Sequence, residues 1–367
     1  MKIYNPFKKF RRPKVSEGIF SGFEVELANR NSGFPLESLE FDITPTGQHY
    51  TLTHFDIPNL KKDEHIIYFT GEFSNHFSLA IEELKKLPKE TVPVTIECAG
   101  NGRAHFNPRS YSMPWAYGAV GTSEWTGTRL TPLLNEAGLK SKAVEVSFTG
   151  ADRGYDAGQE HNFARSLTRE QISELDLLLV YEMNGMPLLP QHGAPVRLIV
   201  PGWYGMASVK WLTEIKALDQ PFDGYQQIGT YRIRKNRKEK GTPITKMRVK
   251  SLMKPPGIPD WLTRKRLVSP GLTVLEGRAW SGGGKKITKV EILLNKKWVL
   301  ASLETQSLKY AWTKWKINWS ARPGYHVLSC RATDESGDIQ PEMPNFNSGG
   351  FENNAVQKVE VFVSDFK

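Results

Sequence analysis

The chain has 367 residues, long for one core, so two domains are expected. Its composition, 39% apolar and 24% charged with only 2 cysteines, is that of a globular protein and excludes a disulfide scaffold. The net charge of +10 points to an anionic ligand. No nucleic-acid motif accompanies it, and the densest basic run, residues 231–241, reads as solvated surface, so no nucleic-acid partner is expected.

Residues 1–20 form a basic arm. Arg11 and Arg12 are followed by no apolar segment of the kind an export signal needs. No run of about 18 apolar residues occurs, so no membrane span is expected. The chain as given therefore reads as cytoplasmic, or as periplasmic if a leader has been removed.

Residues 21–250 mix helix and strand signals. Residues 78–87 place Ala80, Leu84 and Leu87 on one helical face, ended by Pro88. The run V-P-V-T-I-E-C, residues 92–98, reads as a buried strand with Cys98 at its C-terminal end. Leu130, Leu133, Leu134 and Ala137 predict a second helix, with Gly138 as its stop. The run L-L-L-V-Y-E is strand-like and is followed by a turn at Asn184-Gly185. V-R-L-I-V and A-S-V-K-W-L-T-E-I read as two more strands.

From residue 251 to 367 the pattern is one of short alternating strands. Val290, Ile292 and Leu294 alternate with polar residues, as do Leu328, Cys330 and Ala332, and Val359, Val361 and Val363. This predicts an immunoglobulin-like sandwich with Cys330 in its core. The fold class expected for the whole is an α+β domain followed by an all-β domain.

The stretch with most chemistry is T-I-E-C-A-G-N-G-R, residues 95–103. Three readings of Cys98 are open on these residues: a buried core cysteine, a nucleophile with His105 as base, and a metal thiolate assisted by Arg103.

The loop C-A-G-N-x-R resembles the one that carries the metal-binding cysteine in the sulfite oxidase family of mononuclear molybdenum enzymes. The likeness extends to P-W-A-Y-G-A-V-G-T-S-E-W-T-G, to Y-E-M-N-G-M-P-L-L-P-Q-H-G-A-P-V-R-L-I-V-P-G-W-Y-G-M-A-S-V-K-W-L, to Q-Q-I-G-T-Y-R and to the tail P-E-M-P-N-F-N-S-G-G-F-E-N-N-A-V. These segments run in the family's order from about residue 40 to 360.

The resemblance implies a molybdenum–molybdopterin cofactor, with Cys98 as metal ligand and the loop glycines leaving room for the cofactor to reach the sulfur. His54, Asp152, His192, Arg197, Ser208, Val209 and Lys210 match cofactor-binding positions. Arg103, Tyr231 and Trp115 match residues around the substrate. The second domain then corresponds to the family's dimerisation domain, so a homodimer is expected. No haem-binding segment is seen, so electrons are expected to leave by an external carrier.

Two departures stand out. Leu52 occupies the place of an arginine that binds sulfite in the family, and Gly102 replaces a further arginine of the loop. The implied activity is oxygen-atom transfer on sulfite or a related small oxyanion. Reduction of sulfoxides or other oxo-groups is the alternative, and a metal-free binding protein keeping the fold is a third reading.

Overall fold

The computed structural model describes residues 20–236, 238–261, 263–305 and 308–364. Almost all of the basic arm, residues 1–19, lies outside the described residues. Among those described, the protein is mostly β: its longest α-helices, Gly22–Asn29 and Leu130–Ala137, have 8 residues each. This corrects the expected α+β balance. The long apolar runs are spent on strands that pair, and helices serve as short connections.

Two five-stranded sheets build the first part. In one, the order is Phe77–Ala80, Ile66–Gly71, Leu212–Leu218, Glu145–Asp156 and Gln159–Thr168, with Ile66–Gly71 parallel to Leu212–Leu218 and the other pairs antiparallel. In the other, Glu90–Glu97 pairs with Val120–Arg129, which pairs with Leu178–Met183, which in turn pairs with Met186–Pro187 and Arg197–Ile199.

Glu90–Glu97 ends directly before Cys98 and its last four residues are buried, as its apolar run predicts. Leu130–Ala137 is the expected helix, with all four of its apolar positions buried and Gly138 at φ 68° closing it. Asn184 and Gly185 both have positive φ in the turn after Leu178–Met183.

Two expectations fail locally. The helix over 78–87 shrinks to Ile81–Leu84, because Phe77 and Leu79 alternate into the sheet opposite Phe69 and Ile67. The Glu83 carboxylate accepts the Ala80 N–H at 2.8 Å and sets the late helix start. The strand over 207–215 begins only at Leu212. Trp211 has φ 51°, and Ser208 is held out of strand geometry by Arg197, whose Nη2 donates to the Ser208 carbonyl at 2.9 Å.

The C-terminal part comprises a four-stranded sheet (Lys250–Met253, Gly271–Trp280, Thr313–Ala321, Ser302–Leu303) and a six-stranded one that includes Ile287–Leu294, Gly324–Asp334 and Gln357–Val363. Buried residues from both sheets form one core: Leu275 and Trp315 from the first meet Ile292, Cys330 and Val361 from the second. Leu328, Cys330 and Ala332 are buried, as are Val359, Val361 and Val363; Val290 and Ile292 follow suit, while Leu294 is only partly buried.

Between Asp334 and Gln357 the chain leaves this sandwich and returns to the cysteine loop. Glu352 N–H donates to the Ala99 carbonyl at 2.8 Å, and Asn353 Nδ2 donates to the Gly102 carbonyl at 2.8 Å. A buried ion pair ties the same place from another direction. Lys250 Nζ lies 2.7 Å from Glu97 Oε1, and Trp280 Nε1 donates to Glu97 Oε2 at 2.9 Å. Glu97 precedes Cys98, so both parts of the chain fix the thiol's position.

Candidate active site

Two cavities meet at Cys98. The inner cleft, about 70 Å³, is lined by His54, Cys98, Asp152, His192, Arg197, Ser208, Lys210 and Tyr231, together with His49, Gln191 and Trp211. The outer funnel, about 320 Å³, includes Arg103, Tyr111, Tyr155 and Phe351. Leu52, His54, Cys98 and Tyr231 line both, so the sulfur stands at the junction.

Cys98 is buried, and burial pushes its thiol pKa up against the pull of Arg103, a backbone N–H of Gly100 and the Trp115 indole. Trp115 is buried in one cluster with Cys98, Met113 and Ala119. Trp115, expected near the substrate, thus touches the cysteine's surroundings without lining either cavity. His105 is exposed and stacks on Tyr117 at 4.3 Å, so the cysteine–histidine nucleophile pair is not formed.

The loop glycines serve the protein's own side chains. A Cβ on Gly100 would stand 2.5 Å from the Arg103 guanidinium, and one on Gly102, at φ 87°, would press on Asn353. Arg103 is buried, with Nε donating to the Gly349 carbonyl at 3.0 Å and Nη1 to that of Met113 at 2.9 Å. Its guanidinium also lies 5.0 Å from the Phe351 ring. Gly100 thus makes room for the arginine and Gly102 for Asn353.

The cations of the inner cleft are held by carbonyls. Lys210 Nζ donates to Leu52 O at 2.9 Å and to Gln191 O at 3.0 Å. Burial and Arg197 bring its pKa down to about 7, and the carboxyl of Asp152 is raised to about 7, mainly by burial. Arg197 donates Nη1 to His192 O at 2.9 Å, while its Nε is buried with no partner among the described residues. His192 is buried and brought to about 3, first by desolvation. Val209 contributes only backbone, its carbonyl accepting from Leu198 N at 2.9 Å.

Tyr231 and His54 share a hydrogen bond of 2.7 Å between the hydroxyl and Nε2. Tyr231 sits at φ 48°, a costly conformation for a non-glycine residue, just before the paired strand Arg232–Ile233. Burial lowers His54 to about 3 and raises the Tyr231 hydroxyl, so His54 is uncharged and Tyr231 a neutral phenol near pH 7.

Residues 54–226 match the oxidoreductase molybdopterin binding domain, and residues 242–364 match the Mo-co oxidoreductase dimerisation domain. The chain belongs to the sulfite oxidase family of molybdenum-cofactor enzymes.

Among similar proteins, human mitochondrial sulfite oxidase is 30% identical over 346 residues, covering 88% of this chain and 62% of its own length. Nitrate reductase [NADH] 1 of rice is 31% identical over 351 residues, covering 88% of this chain and 38% of its own. The chain thus spans about 62% of the sulfite oxidases it matches. The sulfane dehydrogenase SoxCD of Paracoccus pantotrophus superposes with a TM-score of 0.78 at 25% identity, covering 100% of this chain and 98% of that one.

The residues present fit the cofactor of this family. A bulky pterin dithiolene with a phosphate asks for a soft thiolate, anion donors and buried polar atoms that still lack partners. Cys98, the cations Lys210 and Arg197, and the unpartnered Arg197 Nε and His49 Nε2 supply these around one cleft. Among the described residues no three His, Cys, Asp or Glu side chains are grouped to hold a bare ion. No described helix is long and apolar enough to cross a membrane.

Several site residues were missed in the sequence. His49, Tyr50 and Gln191 line the inner cleft, and Arg165 is buried 5.6 Å from the Tyr231 ring. His49, stacked on Tyr50 at 5.1 Å and edge-on to His192 at 5.6 Å, lies five residues before His54 and carried no signal of its own. Phe351 and Gly349 reach the funnel and Arg103 from the far end of the chain, which no local pattern reveals.

Proposed function

We propose that the protein is a molybdopterin-dependent oxidoreductase that transfers an oxygen atom on a sulfite-type oxyanion and passes electrons to an external carrier. The observation that carries this reading is the meeting of the two cavities at Cys98: a cation-lined inner cleft behind the sulfur and an arginine-bearing funnel in front of it.

Cys98 would ligate the metal; Lys210, Arg197 and His192 would meet the anionic end of the cofactor; Asp152, Ser208, Val209 and His54 would hold its pterin. When bound, the cofactor supplies a two-electron couple for oxygen transfer. The chain's own residues do the rest. Arg103, fixed by two carbonyls, presents its guanidinium to an oxyanion without needing to reorganise. The Tyr231–His54 pair holds a hydroxyl proton at the junction, available to an oxygen placed there.

The β-sandwich at residues 251–367, with its immunoglobulin-like pattern, would join two chains in a homodimer. Reduction of an oxo-group is the second reading, favoured by Leu52 standing where a sulfite-binding arginine is expected and by the similarity to nitrate reductases. The test is molybdenum and pterin analysis of the purified protein, with sulfite oxidation by ferricyanide measured beside viologen-driven reduction of nitrate and of a sulfoxide. Stoichiometric molybdenum with sulfite turnover supports the proposal. Purified protein without pterin or molybdenum after expression in a cofactor-producing host contradicts it.

A further inference from the structure

The funnel in front of Cys98 is far larger than an inorganic oxyanion requires. Pockets of about 300–1,000 Å³ bury most of a drug-sized organic ligand, and this one, at about 320 Å³, reaches the lower end of that range. Its wall is mixed: Leu52, Phe55, Tyr111, Tyr155 and Phe351 form an apolar and aromatic side, while Thr53, Ser112, Gln226 and Thr230 form a polar one. Aromatic walls of this kind favour an aromatic or aliphatic body over a hydrated ion.

The charge is equally unlike a site for a dianion. Arg30 and Arg103 are the cations of the described lining and Asp156 is its anion, which leaves one net positive charge. Arg30 is exposed at the mouth, while Arg103 is buried and partly committed to Gly349 and Met113. Leu52, at the junction with Cys98, adds apolar surface at the point where a second guanidinium would complete a dianion site.

We propose that the funnel recognises a sulfur oxyacid with a single negative charge and an apolar organic group, an organic sulfinate. This rests on the molybdopterin oxidoreductase reading above and narrows its substrate. The sulfur keeps the lone pair that sulfite has, one charge meets one net cation, and the organic group occupies the aromatic wall. The reaction is R–SO2⁻ + H2O → R–SO3⁻ + 2 H⁺ + 2 e⁻. A sulfur–oxygen bond forms, water supplies the oxygen, and the two electrons pass to a one-electron acceptor, ferricyanide in the assay.

The experiment uses the molybdenum-loaded protein and two independent readouts. Calorimetry compares binding of benzenesulfonate, the product, with binding of sulfate, and steady-state kinetics compares benzenesulfinate, methanesulfinate and sulfite. Benzenesulfonate is expected to bind at least tenfold more tightly than sulfate, and benzenesulfinate to have at least tenfold the kcat/KM of sulfite.

Tyr155, 43% exposed on the funnel wall, can be truncated with little risk to the fold. Tyr155→Ala is expected to lower the benzenesulfinate-to-methanesulfinate ratio of kcat/KM threefold or more, with Tyr111→Ala as a second variant. Sulfate binding as tightly as benzenesulfonate, with sulfite the better substrate, overturns the inference and leaves the oxidoreductase reading standing. Loaded protein that oxidises neither sulfite nor any sulfinate overturns both.

Discussion

Lys250→Met removes one half of the buried ion pair that ties the C-terminal sandwich to the residue before Cys98. The two side chains are 1% and 2% exposed, and the Nζ–Oε1 distance is 2.7 Å. Lys250 also donates to the Asn353 carbonyl at 2.7 Å. In the variant, Glu97 keeps Trp280 Nε1 at 2.9 Å and Asn101 Nδ2 at 3.0 Å but loses the buried counter-charge of Lys250. Breaking one side of such a pair costs about 3–5 kcal/mol, because the remaining charge stays desolvated.

At roughly 2 °C per kcal/mol for a domain of this size, Tm should fall by about 6–10 °C. Differential scanning fluorimetry reads the shift directly. The double variant Glu97→Gln/Lys250→Met removes both charges and keeps an acceptor for Trp280, so it should recover about half of the loss or more. A fall in Tm below about 2 °C in the single variant, or a double variant worse than the single one, would refute the reasoning.

Leu52→Arg places a guanidinium at the junction of the two cavities. One charge-assisted hydrogen bond contributes about 1.5–3 kcal/mol, so KM for sulfite should fall roughly tenfold to a hundredfold in ferricyanide-coupled kinetics. A second test concerns Lys210, whose pKa in the folded, cofactor-free protein is about 7, below its usual 10.5. The unfolded chain takes up this proton first as pH falls, so the lysine's contribution to stability is lost from about pH 10.5 down to about 7 and is flat below. Urea midpoints of Lys210→Met across pH 7–10 should vary less than those of the parent; equal slopes would show that this lysine titrates normally.

The sequence made the strands around the thiol legible because their apolar runs are long and largely buried: residues 92–97 and 178–183 both lie in the same sheet. It was equally informative for Leu130–Ala137, where spacing and a terminal glycine agree. It failed at residues 78–87 because the alternation of Phe77 and Leu79 runs straight into the helical spacing of Leu84 and Leu87, and only the neighbouring strand decides where one gives way to the other.

At the site, Cys98, His54, His192, Arg197 and Lys210 line one cleft as the motif resemblance implies, whereas Trp115 is buried in a cluster with Cys98 and lines neither cavity. The basic run after Tyr231 read as solvated surface, yet Arg232 is buried with its guanidinium on the Lys240 and Gly241 carbonyls. The contribution of residues 347–353 was invisible because it depends on a contact across about 250 positions of sequence, made by Asn353 to Gly102.

The central claim is that Cys98 is the protein's ligand to molybdenum. X-ray absorption at the molybdenum edge counts the sulfurs bound to the metal, and it applies equally to the parent and to Cys98→Ser. The account predicts one sulfur scatterer fewer in the serine variant, which keeps its Tm within a few degrees and loses turnover. An unchanged sulfur shell with activity retained would contradict it.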